Sequence, residues 1–418
     1  MRTLLVTQYF PPEIGAPQAR LSELSRCWVE AGDEVTVLTG LPNHPTGVVP
    51  DGYRGRLRMT ETVDGVRVER VWLYTTANEG VAKKTLSHLS FMVTSVLLGH
   101  RAARGADAVV VSSPTFFSIF SAWALARWRK VPLVVEIRDL WPAIFVELGV
   151  LTNPILIRLL ERCELWAYRA ADRVVVVSEG FRDDLVARGV PAGKVVTIRN
   201  GVDLDRFGRT AVDGGPWRAK LGTGAGETLV LYIGAHGISH ALAGVLEAAS
   251  LLRDVPIRFA FVGEGAERRR LLDLVEAQGL TNVTMHGGVP RDEVAAILAA
   301  ADVCLVPLRD VPLFDTFIPS KIFEYLAARK AVVGSVSGEP ARILAEAGAM
   351  VVRPEQPVAL AAAVRALAAD PERRRAMGQR GRAFVEERFD RRELADRYRE
   401  VLSAVTGRQA PERRPVAS

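Results

Sequence analysis

The feature that most constrains this chain is a recurring short run of Val, Ile and Leu, set off each time by a helical stretch. Thr3-Leu4-Leu5-Val6-Thr7 leads into the loop Pro11-Pro12-Glu13-Ile14-Gly15-Ala16-Pro17. A helix over residues 20–31 follows, with Leu21, Leu24, Trp28 and Ala31 on one face and Gly32 at its end, and then the strand Glu34-Val35-Thr36-Val37-Leu38. Continuous apolar runs of this length are what strands buried on both faces look like, and strand–helix–strand order is a βαβ unit. The pattern predicts further strands over residues 66–71, 108–112, 133–137, 173–177 and 194–198. A second series begins near residue 228, with strands over 228–233, 258–262, 283–286, 303–306 and 331–336 and helices over 266–278 and 292–300. Two doubly wound α/β domains follow, with a boundary near Asn200-Gly201-Val202-Asp203 and a loop around Asp213-Gly214-Gly215-Pro216. Residues 371–405 read as charged helix, and 407–418 as a disordered tail.

Composition narrows the class. The chain has 418 residues, 49% hydrophobic and 24% charged, which excludes disorder, collagen-like repeats and coiled coil. No apolar run reaches the roughly 18–20 residues of a membrane span, the longest, 89–99, being short and carrying Ser90, Thr94 and Ser95. The first residues lack the pattern of a secretory signal, so a cytoplasmic protein is expected. The net charge of +6 suits nucleotide phosphates or anionic lipid; no like-charge block resembles a nucleic-acid arm, and no nucleic-acid partner is expected. Cys27, Cys163 and Cys304 are far apart and odd in number, which argues for buried free thiols and against a disulfide framework or structural zinc.

In open parallel sheets ligands bind beyond the carboxyl ends of the strands, and with two such domains a cleft between them is the expected site. Gly15, in the loop after the first strand, admits a ligand to the backbone ahead of a helix N-terminus, or simply makes a tight turn. Tyr232-Ile233-Gly234-Ala235-His236-Gly237-Ile238-Ser239-His240 opens the second series in the same way; it suits phosphate or sugar contact, or plain structure, while His236 and His240 lack the HExxH pattern of a metal pair. Gly263 and Gly287 close two further strands, and three glycine loops in one domain favour a nucleotide cradle. Ile318-Pro319-Ser320-Lys321-Ile322-Phe323-Glu324-Tyr325 is the most informative stretch. Ser320 is placed to cap a helix, Lys321 adds a point charge suited to diphosphate, and Glu324 shares a face with Ala327, Ala328 and Ala331, a stripe small enough to leave room for a ribose whose hydroxyls a carboxylate accepts. Glu324 would equally complement a helix dipole. Arg138-Asp139-Leu140-Trp141-Pro142 ends a strand of the first domain; its Arg can neutralise phosphate and its Asp can act on a hydroxyl, or the two can form a structural pair. Residues 82–104 read as an apolar helix with basic ends, fit either for an anionic membrane surface or for a core position with snorkelling ends.

Taken with Pro11-Pro12-Glu13-Ile14-Gly15, Gly32-Asp33-Glu34-Val35-Thr36-Val37-Leu38-Thr39, Val177-Ser178-Glu179, Asn200-Gly201-Val202-Asp203, Val262-Gly263-Glu264-Gly265, Ala301-Asp302 and Phe323-Glu324-Tyr325-Leu326-Ala327, these stretches carry a resemblance. The chain resembles the family 4 glycosyltransferases of the GT-B fold over nearly its whole length, in the branch that makes bacterial O-antigen, capsule and colanic-acid-type glycans and includes N-acetylfucosamine transferases. The resemblance implies two Rossmann-like domains facing a cleft: 1–200 on the acceptor side, 201–385 binding a nucleotide sugar, and a helix over 386–406 crossing back to the first. It implies a retaining transferase that needs no metal or other cofactor and moves a sugar, a hexose or an N-acetylhexosamine, from a UDP-sugar to a glycan, lipid-linked or small-molecule acceptor. The basic-ended helix over 82–104 and the basic net charge, separately from the resemblance, suit peripheral contact with the inner membrane surface. Glu324 matches the second acid of the family's E-x7-E motif; the first falls on Thr316. Ala235 and His240 stand where the family often has Arg and Lys. Asp139, Arg138 and Lys321 are the expected catalytic residues. Glu324, Ser320, Pro319, Ile318, Thr316, Gly234, His236, His240, Gly263 and Gly287 are the expected donor contacts, and Gly15, Glu13 and His44 the expected phosphate or acceptor loop of the first domain. A UDP-sugar 2-epimerase of the same architecture and a non-catalytic sugar- or nucleotide-binding protein are the competing readings.

Overall fold

The computed structural model describes all residues except 14, 45, 77–79, 114, 208–211 and 409–418; of Ala16 and Val81 only the backbone is described. Most of the expected tail thus lies outside the described residues. The chain divides into two compact units, Met1–Arg199 with Arg391–Ser418, and Asn200–Asp390.

The first unit is built on an eight-stranded sheet. Its strands are β1 (Arg2–Val6), β2 (Glu34–Gly40), β3 (Arg58–Val63), β4 (Val66–Val71), β5 (Ala108–Ser113), β6 (Leu133–Ile137), β7 (Arg173–Val176) and β8 (Val195–Thr197), in the order β3-β4-β2-β1-β5-β6-β7-β8. All pairs are parallel except the antiparallel β3–β4. Sequence reading missed β3 because it is an edge strand of Arg, Thr and Glu with little buried surface. The helices are α1 (Ala16–Glu30), α2 (Val81–Leu97), α3 (Ser118–Arg129), α4 (Ala143–Glu147), α5 (Pro154–Ala170) and α6 (Glu179–Ala187). The helix expected over 82–104 therefore stops at Leu97.

The second unit carries β9 (Thr228–Ile233), β10 (Ile257–Val262), β11 (Val283–His286), β12 (Val303–Pro307), β13 (Ala331–Ser335) and β14 (Met350–Val352), all parallel, in the order β11-β10-β9-β12-β13-β14. Its helices are α7 (Gly215–Lys220), α8 (Leu242–Ser250), α9 (Arg268–Ala277), α10 (Val294–Ala300), α11 (Lys321–Ala327), α12 (Gly338–Glu346), α13 (Pro357–Ala368) and α14 (Pro371–Arg388). In each sheet the chain order reverses beside one strand: β1 lies between β2 and β5, and β9 between β10 and β12. Those switch points open crevices beyond the strand ends, and they place the loops after β1 and β9 at the functional edge of each unit.

The single charged helix expected over 371–405 is two. It breaks at Phe389, whose carbonyl accepts the backbone N–H of Val202 at 3.0 Å, and Asp390 bridges to the same residue. The last helix, α15 (Arg391–Thr406), then packs in the first unit. Trp28 of α1 donates its indole N–H to the Ala395 carbonyl at 3.1 Å and meets Tyr398 edge-on at 5.2 Å. Arg391 pairs with Glu23 at 3.1 Å and Arg399 with Asp33 at 2.7 Å, all four buried. Leu394, Tyr398 and Leu402 complete the core formed by Leu5, Leu21, Leu24 and Val110.

Candidate functional site

In the second unit the site is organised by Tyr325. One turn after Lys321 on α11, its hydroxyl accepts the Ile233 N–H and donates to the Ile233 carbonyl, each at 3.1 Å. Residues four apart share a helix face, so this clamp brings Lys321 to the end of β9. There its ammonium lies 3.8 Å from the centroid of the Tyr232 ring, itself fixed by a 2.6 Å hydrogen bond from its hydroxyl to the Ala235 carbonyl. The Lys321 Nζ is buried and makes no hydrogen bond to any described residue. Burial holds it down to about 7, against the pull of Glu324. A Cβ at residue 234 would sit 2.8 Å from that nitrogen, so glycine there keeps the space in front of the ammonium clear.

Two histidines join the same ring. His236 and His240 lie with ring centroids 5.9 and 5.8 Å from Tyr232. Both ring nitrogens of His236 and Nδ1 of His240 are buried without a hydrogen-bond partner. Burial, then the charges of Arg268 and Lys321, hold His236 down to about 4; burial and Lys321 hold His240 well below its usual range. Gly263 serves a different need: a Cβ there would lie 1.9 Å from the Gly234 carbonyl oxygen, so the two loops pack backbone on backbone. At Gly287 a Cβ would come within 3.0 Å of Glu264, whose carboxylate accepts the Gly288 N–H at 3.2 Å.

Glu324 accepts a 2.7 Å hydrogen bond from Arg291. That pairing replaces the open stripe expected around it: α11 ends at Ala327, and Ala331 belongs to β13. One Arg leaves carboxylate lone pairs unused, so hydroxyls can still be accepted. Ser320 has helical backbone angles and its side chain makes no capping bond, which corrects the expected cap. Thr316 turns its hydroxyl onto the Leu313 carbonyl at 2.9 Å, and Ile318 and Pro319 are buried. Asp315 accepts from the Ser337 hydroxyl at 2.5 Å, fastening that loop.

In the first unit Glu136 is buried and paired with Arg20 at 2.6 Å and with the Ser112 hydroxyl at 2.7 Å. Arg138, two residues on, keeps Nε and Nη1 buried without partners. Burial and the neighbouring Arg20 hold it down to about 10. Burial raises the Asp139 carboxyl, against Arg138. Trp141 stacks on Phe116 at 6.0 Å, fixing the turn after them. Glu13 is buried and accepts the backbone N–H groups of Asn43 at 2.9 Å, His44 at 2.8 Å and Phe10 at 3.3 Å. It laces the loop after β1 to the loop after β2 and thereby positions His44. Gly15 caps α1, where a Cβ would come within 2.5 Å of Gln18 Oε1. Of the free thiols, Cys27 and Cys304 are buried, whereas Cys163 is only half-buried. Tyr232 and Tyr325 stood inside the stretches singled out in the sequence but without a role, and Arg291 stood outside them; two tyrosines at a strand end and in a helix gave no hint that they meet.

Among the described residues no helix is long and apolar enough to cross a membrane. Residues 15–201 match the model of a glycosyl transferase 4-like domain, and residues 215–384 that of the glycosyl transferases group 1. The chain is 26% identical over 333 residues to WcaI of Escherichia coli (strain K12), named for glycosyl transfer in colanic acid biosynthesis, covering 78% of this chain and 81% of that protein. It is 29% identical over 276 residues to the glycosyltransferase WbjE of Pseudomonas aeruginosa, covering 64% and 67%. The structure of Anabaena HepE in complex with UDP-glucose superposes with a TM-score of 0.74 at 16% identity, over 97% of this chain and 100% of that one. Both units are accounted for in chain order, and this protein belongs to the family 4 glycosyltransferases of the GT-B fold, enzymes that transfer sugars.

Proposed function

We propose that the protein is a retaining glycosyltransferase that moves a sugar, of N-acetylhexosamine type, from a UDP-sugar to a glycan, lipid-linked or small-molecule acceptor in polysaccharide biosynthesis, without a metal. The observation that carries the donor reading is Lys321: a buried ammonium with no protein acceptor, facing a position kept clear by Gly234. A cation in that situation is completed by an anion, and the diphosphate of a nucleotide sugar brings one. His236 and His240 add nitrogens beside it, and Glu324, three residues on, keeps capacity for ribose hydroxyls. As the glycosidic bond to the diphosphate breaks, negative charge grows on the leaving oxygen, and a fixed cation in a dry site stabilises that charge more than the ground state. The second unit thus holds the donor. Arg138 and Asp139 of the first unit act on the acceptor side, Asp139 through a carboxyl whose raised affinity for protons suits it to a hydroxyl. The relatives named for polysaccharide assembly and the neighbour bound to UDP-glucose support this reading.

The test is thermal stabilisation by UDP, GDP, ADP and NAD in wild type and Glu324→Ala. A ligand at 100 times its Kd adds about 2.7 kcal/mol. A UDP-selective shift that the substitution abolishes is expected, and no shift with any nucleotide would sink the donor reading. Turnover with chelator present and the anomeric configuration of the product test the metal and the retention. We further propose peripheral membrane contact through α2, whose Leu86, Val93 and Leu97 are exposed beside Lys83. Equal binding of Lys83→Glu and wild type to anionic vesicles would refute it.

A further inference from the structure

Lys321 and Glu324 carry opposite charges three residues apart on α11, a spacing that sets Cβ atoms about 5–6 Å from one another. A buried ammonium without a hydrogen-bond partner and a carboxylate so placed attract strongly where water is excluded. The attraction is present, since Glu324 pulls the Lys321 titration upward against burial. Yet no ion pair joins the two. The ammonium lies over the Tyr232 ring at 3.8 Å, and the carboxylate turns to Arg291 at 2.7 Å.

Arg291 reaches Glu324 from a separate element. It opens the single turn Arg291–Glu293, directly after Pro290 and ahead of α10. The loop behind it is fastened twice, by the Gly263 N–H on the His286 carbonyl at 3.1 Å and by the Gly288 N–H on Glu264 at 3.2 Å. The guanidinium donates through Nη1 to Oε1 alone, and among the described residues no second donor reaches that carboxylate. Glu69 shows the contrast. Arg67 takes its Oε1, and Arg58 and Thr60 its Oε2, so both oxygens are spent on the fold. Glu324 keeps Oε2 open, on a side chain 16% exposed.

We propose that Arg291 is a positioning residue that holds Glu324 away from Lys321 and so keeps both charges available to a nucleotide. The inference rests on the donor reading of this site and deepens it. Lys321 serves a diphosphate only while it lacks a carboxylate of its own, and Glu324 accepts ribose hydroxyls only while an oxygen is unspent. Without the guanidinium, Glu324 turns back along α11 onto the ammonium, and the two groups neutralise each other. Arg291 thus acts through Glu324 and needs no contact with the phosphates.

NMR titration of the Lys321 side chain in the ligand-free full chain tests this, with Lys321→Met to assign the signal. The titratable groups beside the ammonium are Tyr232, His236 and His240 from β9 and the loop after it, and Glu324 from α11. Both histidines are held neutral, and Tyr325, one turn on, is spent on Ile233. In Arg291→Gln the Lys321 titration is expected to rise by at least about one pH unit, because the released carboxylate reaches it. Adding Glu324→Gln is expected to return it to the wild-type value or below, and Arg291→Lys, which keeps a cation for Glu324, to leave it in place. Pyrophosphate, which has no ribose, is expected to bind Arg291→Gln about tenfold more weakly than wild type and to regain its affinity in the double variant. An arginine that only supported the fold would give no such rescue by a second loss. A Lys321 titration that Arg291→Gln leaves unmoved, or a rise that persists in the double variant, would overturn the proposal. Failure of UDP and pyrophosphate to bind wild type reads on the donor site, while the ligand-free titration still decides on Arg291, so the two ideas fail separately.

Discussion

The Lys321 ammonium lies 3.8 Å from the centroid of the Tyr232 ring and donates to no oxygen of any described residue. A ring face attracts a cation, but it does not replace the hydrogen bonds that water gave, and burial therefore holds this lysine down to about 7. An arriving diphosphate reverses the balance, because the opposite charge favours the protonated form. UDP binding near pH 8 is thus expected to take up a proton. Calorimetry in two buffers of different ionisation enthalpy measures it, and binding heats that do not depend on the buffer would contradict the assignment.

The same lysine sets a slope of stability with pH. Unfolded, it titrates near 10.4; folded, near 7. Between those values the unfolded chain binds more protons, so stability rises with pH from about 7 to about 10.4, and the full cost is in place below 7. Lys321→Met keeps the volume and removes the charge. It is expected to raise unfolding stability at pH 7 by a few kcal/mol, on the order of the shift itself, to flatten the slope, and to abolish the UDP shift. Urea denaturation across that pH range checks the first two.

Gly234→Ala places a methyl 2.8 Å from the Lys321 nitrogen at a residue whose φ is 144°. The backbone strain costs about 1–3 kcal/mol, and the methyl occupies the space proposed for phosphate. Nucleotide affinity is expected to fall at least about tenfold, beyond what the loss of stability explains. Unchanged UDP affinity in a folded variant would place the phosphate elsewhere.

Glu13 titrates in the opposite sense. Burial raises it from the usual 4.5 to about 7, so between those values the folded chain binds more protons and stability falls as pH rises. Glu13→Gln is expected to remove that fall while keeping an oxygen for Asn43 and His44. Glu13→Ala leaves their N–H groups without an acceptor and costs about 1–3 kcal/mol for each group left unpaired. Melting curves at pH 5 and pH 7 separate the two variants.

Strands were legible wherever they were central. Val109, Val110, Val134 and Val175 are buried from both faces and read as continuous apolar runs, whereas β3, at the edge, had no such run to show. The break between α14 and α15 was not legible, because Arg388-Phe389-Asp390-Arg391 holds neither glycine nor proline; a backbone bond from Val202, far off in the chain, makes it. Lys321 and Glu324 stood out as charges after a strand. What sets their chemistry did not: Tyr232 is 89 residues from Lys321 in sequence, and Arg291 is 33 from Glu324. Local periodicity reports which way a residue faces, not which distant ring or guanidinium it will meet there.

Helix α15 gives the chain a schedule as well as a shape. Glu23, Trp28 and Asp33 are made early, yet their partners Arg391, Ala395 and Arg399 are made only after the whole of the second unit. Until then the ribosome carries a first unit with an open apolar face on α1, and with Glu23 on that helix and Asp33 just beyond it not yet joined by their arginines. The second unit can fold while the first is still waiting, so synthesis order and folding order need not agree. Arg399→Ala is expected to destabilise the finished protein by about 3 kcal/mol, readable in urea. During synthesis its cost falls on the closing step, the last event that makes the first unit whole.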